Sequence, residues 1–279
     1  MLNIIKALDV NYLLKYLSPR PRDCHKGDFG HVLIIGGNVG YSGAVRLAGE
    51  ASLRVGAGRV SIATHPAHAV SLNVSCPELM CHGLSNVEDL NKLSEQATFI
   101  VIGPGLGTDE WSDSLLEIVL KWKDKPMLLD ADALNLLTTT RIGTCRKNCI
   151  FTPHPGEAAR LLDTTPQTIQ KNRFAAINKL HNLLGGVIVL KGSGTLLSSS
   201  INRVEICYAG NPGMATAGMG DVLSGVIAGL AAQKIPLVDA AKLGVLVHAM
   251  AGDLSAVEKG ERGMIASDLM SGLRKIVNT

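Results

Sequence analysis

Aromatic side chains are scarce in this sequence: Phe, Tyr and Trp make up 4 % of 279 residues. That argues against an aromatic-rich binding module. Charge of one sign is also lacking. The net charge is +3 and no dense Lys/Arg block occurs, which makes nucleic acid a poor partner and leaves room for an anionic small molecule. The six cysteines (Cys24, Cys76, Cys81, Cys145, Cys149 and Cys207) form no CxxC pair. The spacing supports no zinc site, and no residue is assigned to a metal. The chain opens without a basic-apolar-small leader, so the thiols are expected to be reduced and the location cytoplasmic. The longest apolar run, around Val222–Ala232, is too short for a bilayer and continues into Gln233 and Lys234. It reads as a core helix, and no membrane partner is expected. No repeat, low-complexity linker or composition shift divides the chain.

What is present is a large apolar fraction, 46 %, and 30 glycines, the profile of a tightly packed α/β enzyme. Apolar positions at mixed helical spacing over Asn3–Leu17, stopping before Pro19 and Pro21, predict a leading helix and linker over residues 1–24. His31–Ile35, Ser42–Val55 and Arg59–Ala63 then read as strand, helix and strand, a unit that builds parallel sheet. Further strands are predicted at Thr98–Ile102, Met127–Asp130, Cys149–Thr152 and Val187–Leu190, with a helix over Ser112–Trp122. Thr195–Ser198 and Val204–Tyr208 are expected to pair antiparallel, and two or three long helices close the chain. The fold class is α/β, one domain over 1–279.

The polar and Gly-rich motifs follow the carboxyl ends of strands, the edge at which open parallel sheets bind ligands. The most informative is the loop from Asn211 through Ala217-Gly218-Met219-Gly220-Asp221 into an apolar helix. Free N–H groups at that helix start form an anion site, and Asp221 places a carboxylate beside it. The pairing suits chemistry in which a phosphoryl group meets a hydroxyl. Read alone, Asp221 is better taken as a helix cap, and its company with the other motifs is what favours the site. Gly36–Gly58 lacks the GxGxxG spacing of a dinucleotide turn, although Gly43 and Ala44 could let a ligand approach the backbone. GPGLG (Gly103–Gly107) has no P-loop lysine but offers backbone N–H groups at Gly105 and Gly107. In DADALNLL, Asp130 or Asp132 could hold hydrated Mg²⁺, with Asp132 as a helix cap the plainer reading and Asn135 one turn on. His154, stiffened between two prolines, is a ligand candidate, while Glu157 reads as a first-turn acid. KGSGT (Lys191, Gly192, Ser193, Gly194, Thr195) supplies groups that contact phosphate, or else a solvated hairpin.

In this order the motifs resemble one family, the ADP/ATP-dependent NAD(P)H-hydrate dehydratases, which have a ribokinase-like three-layer α/β/α fold. The segments include HKGDFGHVLIIGG, VIGPGLG, LLDADALNLL, FTPHPGEAARLL, VIVLKGSGTLL, GNPGMATAGMGDVLSGVIAGLAAQ and VHAMAGD. The resemblance implies that Ala44, Gly107 and His154 line a pocket for hydrated nicotinamide dinucleotide (NADHX or NADPHX), with Gly105, Asp132 and Asn135 completing the set. Lys191 to Thr195 would contact the phosphates and ribose of ADP or ATP, with Asn211, Gly218 and Gly220 nearby. Ala217 to Gly220 would form the anion hole, Asp221 would be the base, and Mg²⁺ would bridge the donor phosphates. Where the family often shows GGTGD, this chain has Ala217 and Met219, and activity is expected to survive because the backbone N–H groups remain. The resemblance further implies a homotetramer and a functional link to an NAD(P)H-hydrate epimerase. The chain is expected to be a standalone enzyme or the C-terminal part of a two-domain protein. A sugar or vitamin-alcohol kinase of the same fold and a non-catalytic nucleotide sensor are the alternative readings.

Overall fold

The computed structural model describes residues 4–86, 88–137, 141 and 147–278. Ten strands form one sheet: β1 (Ile4–Ala7), β2 (His31–Ile35), β3 (Arg59–Thr64), β4 (Met80–Gly83), β5 (Phe99–Ile102), β6 (Met127–Leu129), β7 (Cys149–Phe151), β8 (Val187–Leu190), β9 (Thr195–Ser200) and β10 (Arg203–Cys207). Their order across the sheet is β1-β10-β9-β8-β7-β6-β5-β2-β3-β4. Only β9 runs antiparallel, to β8 and β10. The central strands are short and apolar throughout, as expected where helices cover both faces.

Alternate residues of each strand feed two cores. Val32, Ile34, Phe99 and Val101 face helices Ser42–Arg54, Met219–Ala232 and Leu237–Lys259. Leu33, Ile35, Ile100 and Ile102 face helices Glu88–Gln96, Glu110–Lys121 and Arg173–Leu184. This is the three-layer α/β/α arrangement. Small residues set the helix spacing on the first face. A Cβ on Gly225 would sit 2.1 Å from the Ala48 carbonyl oxygen, so only glycine admits this approach.

One expectation is corrected here. The leading segment begins as a strand, with Ile4–Ala7 in register with Arg203–Ile206, before a short helix at Val10–Leu14. A long-range edge pairing overrides the local helical pattern there. The apolar run Val222–Ala232 lies in the buried core helix Met219–Ala232, as expected, and a longer apolar helix follows at Leu237–Lys259. By length and composition it could cross a membrane, yet 67 % of its apolar window is buried inside the protein. The edge strand β4 and helix Glu88–Gln96 have no counterpart in the sequence reading. Cys145 lies outside the described residues, and Cys24, Cys76, Cys81 and Cys207 are free thiols.

Candidate active site

Loops at the carboxyl ends of β2, β5, β6, β7 and β8 converge beside the start of helix Met219–Ala232. After β2 and β5, Gly37 N–H donates to Pro104 O and Asn38 N–H to Gly105 O, locking the two loops together. Gly103 (φ 128°) permits the next contact: a Cβ there would lie 1.7 Å from the Asp130 carbonyl oxygen. Gly107 N–H donates to Asp132 Oδ2 at 2.9 Å, and Asn135 Nδ2 donates to Asp132 Oδ1 at 3.2 Å. Asp132 is therefore not the helix cap. Asp130 holds that position, and the Asp132 carboxylate instead joins the β5 and β6 loops. Ala44 packs beside the Gly105 turn, near 3.1 Å from where a Cβ on that glycine would lie.

His154 caps helix Pro155–Leu161. Its Nδ1 accepts from Gly156 and Glu157 N–H groups, which makes Nε2 the protonated nitrogen of the neutral ring, 3.2 Å from Glu157 Oε1. Burial, aided by the Lys191 charge, holds the ring below its ordinary value. Half of the side chain stays exposed and open to a ligand. Glu157 is more than a first-turn acid. It is buried, its Oε2 accepts the His154 N–H at 2.7 Å, and burial raises its carboxyl to about 7, with Lys191 opposing and Asp130 adding to the rise.

Lys191 is the cation of this cluster. Its Nζ lies 2.6 Å from Asp130 Oδ1 and 3.8 Å from Glu157 Oε2. Burial works against the ammonium charge, but the carboxylates of Asp130 and Glu157 outweigh it and hold its proton more firmly than usual. The rest of KGSGT is shaped by Arg173, whose guanidinium donates to the carbonyls of Leu190, Lys191, Ser193 and Gly194. Thr195 Oγ1 donates to Gly192 O. Lys191 to Thr195 and Gly220 line a cavity of about 480 Å³ that continues to Asn211 and His248. The Asn211 side chain holds its own loop: Nδ2 donates to Asp253 Oδ1 and Oδ1 accepts the Gly213 N–H.

The helix start completes the site. Gly218 (φ 87°) takes the left-handed conformation without a side-chain cap, so the first-turn N–H groups are left for a ligand. Ala217 is exposed, whereas Met219 is buried and lines the inner end of the same cavity. Asp221 lies in the first turn and is not the cap. Burial first, then the Asp130 charge, raise its carboxyl to about 7, with Lys191 opposing. A carboxylate titrating there accepts a proton near neutral pH.

The structure thus brings the predicted residues to one sheet edge in two groups: Gly105, Gly107, Asp132, Asn135 and His154 on one side, Lys191–Thr195 and Asn211 on the other. Asp221 interacts electrostatically with both groups, through Asp132 on one side and Lys191 on the other. The sequence reading missed Arg173, Ser224, His248 and Asp253, and offered Asp130 only as one of two aspartates that could hold hydrated Mg²⁺. Asp130 is buried and accepts from Ser224 Oγ at 2.7 Å as well as from Lys191. A larger groove of about 960 Å³ lies around Arg20, Arg54 and Arg274 and contains none of the predicted residues.

This sheet order, with an uncapped helix start facing a lysine and a proton-accepting carboxylate, defines a protein of the ribokinase-like class. Residues 32–275 match the NAD(P)H-hydrate dehydratase family, and the chain belongs to that family. It is 52 % identical to the bifunctional NAD(P)H-hydrate repair enzyme Nnr of Coxiella burnetii over 98 % of this chain and 55 % of that protein. It is 39 % identical to the ADP-dependent (S)-NAD(P)H-hydrate dehydratase of Neisseria meningitidis, over 93 % of this chain and 88 % of that one. The ADP/ATP-dependent NAD(P)H-hydrate dehydratase of Bacillus subtilis, co-crystallised with ATP/Mg²⁺, superposes with a TM-score of 0.85 at 27 % identity, covering 97 % of each chain. The chain spans about half the length of the bifunctional relatives it matches.

Proposed function

We propose that this chain returns the S epimer of NAD(P)H hydrate to NAD(P)H at the expense of ADP or ATP. The supporting observation is Asp221: a carboxylate raised to about 7, in the first turn of an uncapped helix, within the field of the Lys191 ammonium. The nucleotide would occupy the cavity beside Lys191–Thr195, and the hydrated ring the side toward Gly107 and His154. Asp221 accepts the proton of the ring hydroxyl as that oxygen bonds to the terminal phosphorus and the bond to the nucleotide breaks. First-turn N–H groups and Lys191 stabilise the charge on the transferring group. The phosphorylated oxygen then leaves as phosphate, the ring nitrogen lone pair driving the C–O cleavage, and the resulting iminium loses a proton from the adjacent ring carbon to give the ring double bond of the reduced cofactor.

The described residues contain no group of three His, Cys, Asp or Glu side chains placed to hold a metal ion. Asp130 and Glu157 already have partners in Lys191, Ser224 and the His154 backbone. Magnesium is accordingly assigned to the nucleotide, as part of the co-substrate complex, where it would neutralise the donor phosphates. The consumption of a single epimer calls for an epimerase acting on the same hydrate. The test is incubation of the purified protein with NADH hydrate, Mg²⁺ and ADP or ATP. Recovery of reduced-nicotinamide absorbance only with nucleotide supports the reading, and no recovery with either nucleotide sinks it.

A further inference from the structure

We propose that Asp130 is a positioning residue: it fixes the Lys191 ammonium and the first turn of helix Met219–Ala232 against one another, so that both meet the same phosphoryl group. The inference rests on the dehydratase reading above. Three elements distant in sequence meet at this one carboxylate. Asp130 follows β6 and is 1 % exposed. Its Oδ1 receives Lys191 Nζ at 2.6 Å from the end of β8, and its Oδ2 receives Ser224 Oγ at 2.7 Å from the helix. A Cβ placed on Gly220, in the first helical turn, would be 3.4 Å from Lys191 Nζ and 3.9 Å from Asp130 Oδ2. The ammonium is thereby held beside the backbone that forms the anion hole.

A lysine ammonium is a point charge on a flexible four-carbon stem and does not aim itself. Glu157, at 3.8 Å, supplies attraction but no hydrogen bond, so among the described residues Asp130 provides the close directional contact to Nζ. An ammonium has three donors, and Asp130 occupies one, leaving the others for phosphate oxygens. Ser224 in turn holds Oδ2, so the carboxylate cannot turn toward Lys191 with either oxygen indifferently.

The charge of Asp130 also bears on Asp221, which faces Asp130 from the end of β6, Asp132 from helix Ala131–Leu136, Glu157 from helix Pro155–Leu161 and Lys191 from the end of β8. Removing the Asp130 charge leaves Lys191 less opposed and makes Asp221 a weaker base. A residue that merely supported the fold would not move the base.

The experiment compares wild type, Asp130→Asn and Ser224→Ala. Its readouts are kcat and KM against pH, plus a ¹³C titration of the Asp221 carboxyl. Asp130→Asn is expected to lower kcat about a hundredfold, the scale of a misplaced catalytic contact, with KM for NADH hydrate within about threefold. The acid limb of kcat and the Asp221 titration should both move down by about one pH unit. Ser224→Ala keeps the charge, so kcat should fall about fivefold with the limb unmoved. An Asp130→Asn protein that folds and retains wild-type kcat, or an unmoved Asp221 titration, overturns the assignment. Should Asp130→Asn not fold, wild-type kcat in Ser224→Ala overturns it. An inactive wild type refutes the dehydratase reading itself, and this inference with it, whereas an active wild type with an indifferent Asp130→Asn refutes this inference alone.

Discussion

Replacing Asp221 with Asn should cost activity and increase stability, and the increase should depend on pH. The substitution keeps the shape of the side chain and removes its charge. The native state raises this carboxyl from an ordinary 3.8 to about 7, chiefly by burial. Each tenfold change in proton affinity is about 1.4 kcal/mol, so full ionisation penalises the native state by a ceiling of about 4 kcal/mol. Solvent reaching the site mouth screens part of this, leaving about 2 kcal/mol. The direction follows from linkage. The native state holds the proton more tightly than the unfolded chain, so its stability declines as pH rises from about 4 to about 7. Above that range the penalty is constant. Asp221→Asn removes it and should melt about 4 °C higher than wild type at pH 8, at about 2 °C per kcal/mol. At pH 5 the gain should be less than half as large. Calorimetry across pH 5 to 8 measures the difference, and kcat in the same preparations should fall by about a hundredfold or more. A variant less stable than wild type at pH 8, or a gain that does not change with pH, would refute the claim that this carboxylate is held against its charge.

Three further outcomes are expected. The wild-type kcat should rise with pH through about 7, because Asp221 must be ionised to accept a proton; a flat profile between pH 5 and 8 with chemistry rate-limiting would contradict this. Arg173→Lys cannot span the four carbonyls that the guanidinium holds, so KM for the nucleotide should rise about tenfold while kcat changes little; calorimetric ADP affinity checks it. Gly225→Ala forces a Cβ to within 2.1 Å of the Ala48 carbonyl oxygen, so the two helices must separate; chemical denaturation should show a loss of about 3 kcal/mol.

Much of the sheet was legible because its central strands are unbroken runs of β-branched and other apolar residues followed within two positions by glycine, proline or aspartate. The HVLII, FIVI and VIVL runs could be placed without tertiary information. The edges could not. Ile4–Ala7 becomes a strand only because β10, about 200 positions away, offers an edge to pair with. Met80–Gly83 carries no apolar run, and its partner β3 supplies the pattern. The site divides in the same way. Asp221 was legible because GMGD and the following helix form one contiguous signal. Asp130 was not, because its partners lie 61 and 94 residues away and nothing in DADALNLL marks which aspartate turns inward. Arg173 was missed for a related reason: it belongs to no motif, and only the fold brings it under the KGSGT carbonyls.

The most direct measurement is the absorbance of the reduced nicotinamide ring during incubation with NADH hydrate, Mg²⁺ and ADP or ATP, run on wild type and Asp221→Asn side by side. The account predicts recovery that requires a nucleotide and is lost in the variant at unchanged ADP affinity. Recovery of equal rate in Asp221→Asn, or none in wild-type protein that binds ADP, would contradict it.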